Sequence, residues 1–218
     1  MNVLLFGATG SAGGGVLDVC LDASDVVEVR AITRRPLAPQ SKLRNTVHGD
    51  FLDYRSRQFE FTGVDACFFC LGKSVTQVAT EQEYRTITIE YALTAARMLQ
   101  QCSPSASFHY ISGSGASERS RFMWARVKAE AERRLLELTD AVCWRPAGID
   151  GKPSASEPML YRLVRPAYRL FKPFRSLYVS GEEIGLALLQ ATREGVRGRI
   201  IGNAELRAIA ARATSSKL

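Results

Sequence analysis

The chain has 218 residues, 46% hydrophobic and 23% charged, with a formal net charge of +7. That balance excludes a disordered or collagen-like chain and fits a single domain around one sizeable core. No apolar run reaches the length of a membrane span and no basic region precedes the short apolar N-terminal stretch, so the sequence is expected to lack a secretory leader and to act inside the cell.

Residues 2 to 6 are an apolar run that predicts a first strand, and a helix is expected over 11–23. Between them stands "GATGSAGGG", residues 7 to 15. Gly7, Gly10 and Gly13 fall in the one context, strand to helix, that makes such spacing informative. Gly7 permits a tight turn, Gly10 lets backbone N–H groups approach a pyrophosphate, and Gly13 lets the helix pack close to the strand. Thr9, Ser11 and Ala12 belong to the same anion-facing turn, where the helix N-terminus favours negative charge.

"VVEVRAIT" at 26–33 predicts strand two, which ends in Thr33, Arg34 and Arg35. An acidic residue here would serve a ribose 2′-hydroxyl, whereas two guanidinium forks suit a 2′-phosphate, favouring NADP(H) over NAD(H). Two arginines on an exposed loop are the plain alternative. "NTVHGD" predicts a short third strand, and Val64 to Leu71 a fourth, buried on both faces. Cys67 and Cys70 form a CxxC within it, but residues three apart in a strand point to opposite faces, so core cysteines are expected and no metal site. Five cysteines without framework spacing fit a reducing compartment.

A long helix is expected over about 80–101, with Ile87, Tyr91, Leu93, Ala95, Met98 and Leu99 near helical spacing. "ASFHYIS" follows as strand five, residues 119–138 as a helix, and "AVCWRP" as strand six. Pro153 and Pro158 then mark a loop. The segment 161–175 alternates basic with aromatic and aliphatic residues. A membrane-surface helix or nucleic-acid patch is one reading; a solvated helical flap covering a pocket is the favoured one. A helix near 182–193, the strand "RIIG" and a last short helix from about 203 complete the chain. Strand–helix alternation with short connections implies a doubly wound parallel sheet, the Rossmann class of α/β fold, over residues 1–218, with 151–178 as a lid.

Taken together, "GATGSAG", "GDFLD", "CFFCLG", "YISGSGA", the WxxxK from Trp124 to Lys128, and "WRPAGI" resemble the successive motifs of atypical short-chain dehydrogenase/reductases. The nearest resemblance is to the Tat-interacting-protein-like oxidoreductases, with NmrA-like redox sensors more distant. It extends over nearly the whole chain, including "YVSGEEIGLALLQA" and "RIIGNAEL". The resemblance implies that Asp50 and Phe51 lie beside an adenine, that Leu71 and Gly72 line the ribose path, and that Ser112 polarises a substrate carbonyl. It further implies that Lys128 holds the nicotinamide ribose and lowers the pKa of a nearby phenol, and that Arg145, Pro146 and Ala147 border the nicotinamide.

The family's tyrosine, four residues before the lysine, is replaced here by Trp124, whose indole N–H donates a hydrogen bond but exchanges no proton near neutral pH. Thr88 stands where many relatives carry an asparagine or aspartate. Trp124 can equally be a pocket-wall aromatic, and Ser112 a hydroxyl capping local backbone. His48 and His109 read as ordinary strand residues, while Tyr91, Tyr110 and Tyr161 are tyrosines whose hydroxyls the sequence does not place. Two functions therefore stand: an oxidoreductase on a small carbonyl-type substrate, and a non-catalytic NADP(H)-binding sensor or scaffold. Many members of the resembled family pair through their long helices, which leaves a homodimer open without fixing the oligomeric state; no nucleic acid and no membrane span are expected. The location is cytoplasmic, or peroxisomal or glycosomal in a eukaryote if Ser216, Lys217 and Leu218 serve as an address.

Overall fold

The computed structural model describes residues 1–150 and 178–215. The expected lid, its prolines, Tyr161, the basic segment 161–175 and the C-terminal tripeptide lie outside the described residues. Seven parallel strands form one sheet: β1 (Asn2–Phe6), β2 (Glu28–Thr33), β3 (Leu43–Val47), β4 (Ala66–Phe69), β5 (Ser107–Ile111), β6 (Val142–Arg145) and β9 (Arg199–Gly202). They are ordered β3-β2-β1-β4-β5-β6-β9, so the chain reverses direction across the sheet between β1 and β4. Among the described residues, β7 (Gly148–Asp150) and β8 (Tyr178–Ser180) pair in a separate parallel ribbon that the sequence had not announced.

Alternation along each strand divides the core into two clusters. Val3 and Leu5 of β1, Phe68 of β4 and Trp144 of β6 join α1 (Ser11–Asp22), α6 (Gly181–Arg193) and α7 (Asn203–Ser215). Leu4, Phe6, Cys67, Phe69 and Cys143 face the other cluster, with α4 (Tyr91–Cys102) and α5 (Met123–Leu138). Cys67 and Cys70 pack against opposite clusters, as their spacing in an extended segment requires.

Several boundaries differ from the sequence pattern, strand two starting at Glu28 and strand four spanning Ala66–Phe69 among them. β3 runs over 43–47 rather than 45–50, because β2 offers partners only from Val29 to Thr33, and Asp50 instead accepts the Leu52 N–H at 2.9 Å in a turn. The helix expected from 119 starts at Met123, since Ser117 and Ser120 accept the N–H groups of Arg119 and Phe122 in local turns. The helix over 80–101 is continuous but not regular. Its first turn is α3 (Glu81–Arg85), capped by Thr80, and one π-turn over Thr86–Glu90 joins it to α4.

Candidate functional site

The glycine-rich turn does four separate jobs. Gly7 has φ +79°, and a Cβ there would lie 2.6 Å from the Cys70 carbonyl. Gly13 seats α1 on the turn, since its Cβ would fall 2.1 Å from Gly7 O. Gly15 does the same for a helix rather than a strand: its Cβ would be 2.3 Å from the Gly181 carbonyl carbon at the start of α6. Gly10 differs from all three. It is the N-cap of α1, its N–H donates to Gly7 O at 2.9 Å, and a Cβ on it would meet only Gly7 O, at 3.3 Å. No side chain caps α1 and no acidic residue occupies its first turn, so the positive helix end faces open space.

That space is a groove across the carboxyl ends of the strands, made of two adjoining cavities that share Gly10, Cys70, Leu71 and Gly72. The first, about 410 Å³, is bounded by Gly7, Thr9, Thr33, Arg34, Arg35 and Phe51. Thr33 is fixed: its hydroxyl donates to Arg35 O at 2.7 Å and accepts from Asn45 Nδ2 at 2.8 Å. The Arg34 and Arg35 side chains are exposed. Phe51 is buried, its ring stacked on Tyr91 at 5.4 Å.

The second cavity, about 380 Å³, reaches Ser11, Ala12, Tyr84, Thr88, Tyr110, Ser112 and Lys128. Ser112, 4% exposed just past the end of β5, has a buried hydroxyl oxygen without a hydrogen-bond partner among the described residues. Lys128 Nζ donates to the Ser112 carbonyl oxygen at 2.6 Å. Burial pulls the Lys128 ammonium down to about 8, against the opposing pull of the Glu132 carboxylate. Tyr110 donates its hydroxyl to Thr88 O at 3.2 Å, and burial holds its phenol far above the usual range. Tyr84 is 2% exposed; burial raises its phenol while the neighbouring Thr88 side chain works the other way.

The groove thus brings together Gly7, Thr9, Gly10, Ser11, Ala12, Thr33, Arg34, Arg35, Phe51, Leu71, Gly72, Ser112 and Lys128. Gly13 sits beneath it. Asp50, Trp124 and Pro146 line neither cavity. The Asp50 carboxylate serves its own turn, and the Pro146 carbonyl accepts the Ser114 N–H at 2.8 Å. Trp124 stands in the first turn of α5, stacked on the exposed Phe122 at 6.5 Å, with its indole 3.5 Å from the position of a Cβ on Gly115. Arg145 forks onto the buried Glu132 at 2.9 and 2.6 Å. Tyr84, like Lys73, Ser74, Thr76 and Gln77, is a wall residue that sequence reasoning passed over. Its signal was the i, i+4 spacing to Thr88, which puts the two on one helix face.

A parallel sheet of this order, with a glycine turn and an uncapped helix where the strand order reverses, defines the Rossmann-type class. No known family profile matches the chain. The fmp52 protein of Aspergillus clavatus, whose name places it in mitochondria, is 30% identical over 195 residues, 85% of this chain and 80% of that protein. Rat HTATIP2 is 28% identical over 140 residues, 63% of this chain and 57% of that protein. Among solved structures, DesIV of Streptomyces venezuelae, a dTDP-glucose 4,6-dehydratase with NAD bound, superposes with a TM-score of 0.72 at 15% identity, covering all of this chain and 81% of that one. The chain belongs to the atypical short-chain dehydrogenase/reductase superfamily, in the group of fmp52 and the Tat-interacting-protein-like proteins.

Proposed function

We propose that this chain binds NADP(H) along the groove and passes hydride between its nicotinamide and a small carbonyl-type substrate. The observation that carries the reading is the unpartnered Ser112 hydroxyl, buried at the far end of a groove that begins at two exposed arginines and crosses an uncapped helix N-terminus. A buried hydroxyl without a partner costs about 1 to 3 kcal/mol, a cost that a ligand oxygen removes.

An extended dinucleotide fits these residues in order. Arg34 and Arg35 would pair with the 2′-phosphate and Phe51 would lie against the adenosine end. The backbone over Gly10 and the amides of α1 would take the pyrophosphate, and Lys128 would meet the nicotinamide ribose. The bound cofactor supplies the hydride. Ser112 donates to the substrate carbonyl oxygen, and Lys128 sets the electrostatics of that end. With one charge-assisted phosphate contact at stake, NADPH should bind about tenfold to a hundredfold more tightly than NADH, and Arg34→Ala with Arg35→Ala should erase the difference. Calorimetric titration checks this; equal affinities in the unmodified protein would make the preference wrong.

A non-catalytic NADP(H) sensor is the second reading. It draws on Trp124, which has no exchangeable hydroxyl and lines neither cavity. Steady NADPH oxidation with a panel of aldehydes and ketones decides for the enzyme. Tight NADPH binding with no turnover decides for the sensor.

A further inference from the structure

The oxidoreductase reading lacks a proton donor at position 124, and the described walls of the inner cavity contain two other phenols, Tyr84 and Tyr110. They are not equivalent. Tyr110 spends its proton on a backbone acceptor, the Thr88 carbonyl, at 3.2 Å. For the Tyr84 hydroxyl the described residues offer no such backbone acceptor; burial raises its pKa and the neighbouring Thr88 side chain works the other way. The Tyr84 proton is thereby left for a group in the cavity. The π-turn over Thr86–Glu90 follows directly, a local irregularity of the kind that often marks functional sites.

We propose that Tyr84 is the proton donor to the substrate carbonyl, acting with Ser112 in the place of the tyrosine missing from position 124. This rests on the oxidoreductase reading. The carbonyl carbon gains a hydride with its electron pair from the reduced nicotinamide, and the carbonyl π pair takes the Tyr84 Oη proton. A C–H and an O–H bond form while the C=O π bond and the Oη–H bond break. The carbonyl is reduced to an alcohol, the nicotinamide is oxidised, and the tyrosinate left behind, beside the Thr88 side chain, regains a proton from water.

The test compares the full-length wild type with Tyr84→Phe, Thr88→Val and Trp124→Phe. One readout is kcat with NADPH and an aldehyde panel. The other is binding of N-cyclohexylformamide and N-benzylformamide in the presence of NADPH, because a formamide carbonyl accepts the same hydrogen bonds and is not reduced. Tyr84→Phe should lower kcat about a hundredfold or more and weaken formamide binding about tenfold, with NADPH affinity unchanged as evidence of an intact fold. Thr88→Val, which keeps the tyrosine and its packing, should lower kcat to an intermediate level, and Trp124→Phe should leave both readouts within about twofold. Wild-type kcat and formamide affinity retained in Tyr84→Phe would overturn the assignment and leave the oxidoreductase reading standing. A wild type that binds NADPH but neither reduces aldehydes nor holds formamides would overturn both.

Discussion

Gly10 and Gly13 are three residues apart and tolerate a side chain very differently. A Cβ on Gly13 would run into the Gly7 carbonyl oxygen at 2.1 Å, whereas one on Gly10 meets only that same oxygen at 3.3 Å and otherwise extends toward the groove. Gly10 also has ordinary extended backbone, φ −87° and ψ 171°, which valine accepts. Gly10→Val is therefore expected to keep the wild-type melting temperature within about 2 °C and to lose NADPH binding by at least about a hundredfold, since branched methyls would occupy the anion's approach. Gly13→Ala should unfold several degrees earlier. A Gly10→Val protein that binds NADPH normally by calorimetry would remove the pyrophosphate from this turn. Both glycines were legible in the sequence, because strand–turn–helix spacing assigns each a job. Trp124 was legible only in part: its spacing puts it on the Lys128 face of α5, while its packing against Phe122 and Gly115 comes from the loop before that helix.

The elements meet through reasons that sit far apart in the chain, and that is where local pattern stops being informative. All seven strands of the sheet and the long helices were readable from apolar period and turn residues, and their alternation pointed to the doubly wound class but not to the strand order. The contact of α1 with α6 was not readable, because Gly15 gains its meaning only from Gly181 and Gly185, well over a hundred residues later. A Cβ on Gly15 would lie 2.3 Å from the Gly181 carbonyl carbon, and one on Gly185 would lie 2.9 Å from Val19 Cβ. Gly14, one residue earlier on the same helix, would meet only Ala8 O, at an ordinary 3.6 Å. Opposite effects of the same substitution are therefore expected. Gly15→Ala should destabilise by about 1 to 3 kcal/mol through forced backbone separation, and Gly14→Ala should stabilise by about 0.5 to 1 kcal/mol through helix propensity. Urea denaturation of the two variants measures the contrast. Equal stability would mean that the helices are held apart by something other than the glycine pair. The π-turn was equally invisible, since the apolar spacing of residues 80–101 satisfies a regular helix as well as an interrupted one.

At the scale of the whole molecule, one buried histidine ties β5, β6 and α6 together. His109 is 0% exposed, edge-on to Phe68 at 5.3 Å and stacked on Trp144 at 6.0 Å. Trp144 Nε1 lies 3.2 Å from His109 Nδ1, and an indole nitrogen only donates, so Nδ1 is the acceptor and Nε2 carries the proton. Nε2–H then donates to Thr192 Oγ1 at 3.2 Å, and that hydroxyl donates to Leu188 O at 2.9 Å. A second ring proton would point at the indole N–H. Burial, with Arg197 adding to it, takes the imidazole from its ordinary 6.5 down to about 3. A depressed folded-state value means that the unfolded chain binds the proton first as pH falls. The stability that His109 contributes is thus fully present above pH 6.5 and is lost progressively down to about pH 3. Asp25, Asp53, Glu83 and Glu194 are carboxylates held below their ordinary values by arginine, lysine or backbone partners, and their losses come at lower pH, so the interval from pH 7 to 5 isolates the histidine. Between those two pH values the unfolding free energy should fall by about 2 kcal/mol. His109→Gln keeps an acceptor for the indole and removes the titration, so it should be less stable at pH 7 but nearly flat down to pH 5. Urea denaturation at the two pH values measures both slopes. A wild type equally stable at pH 7 and pH 5 would mean that the ring is protonated in the fold without cost, and the Trp144 hydrogen bond would then have to be abandoned.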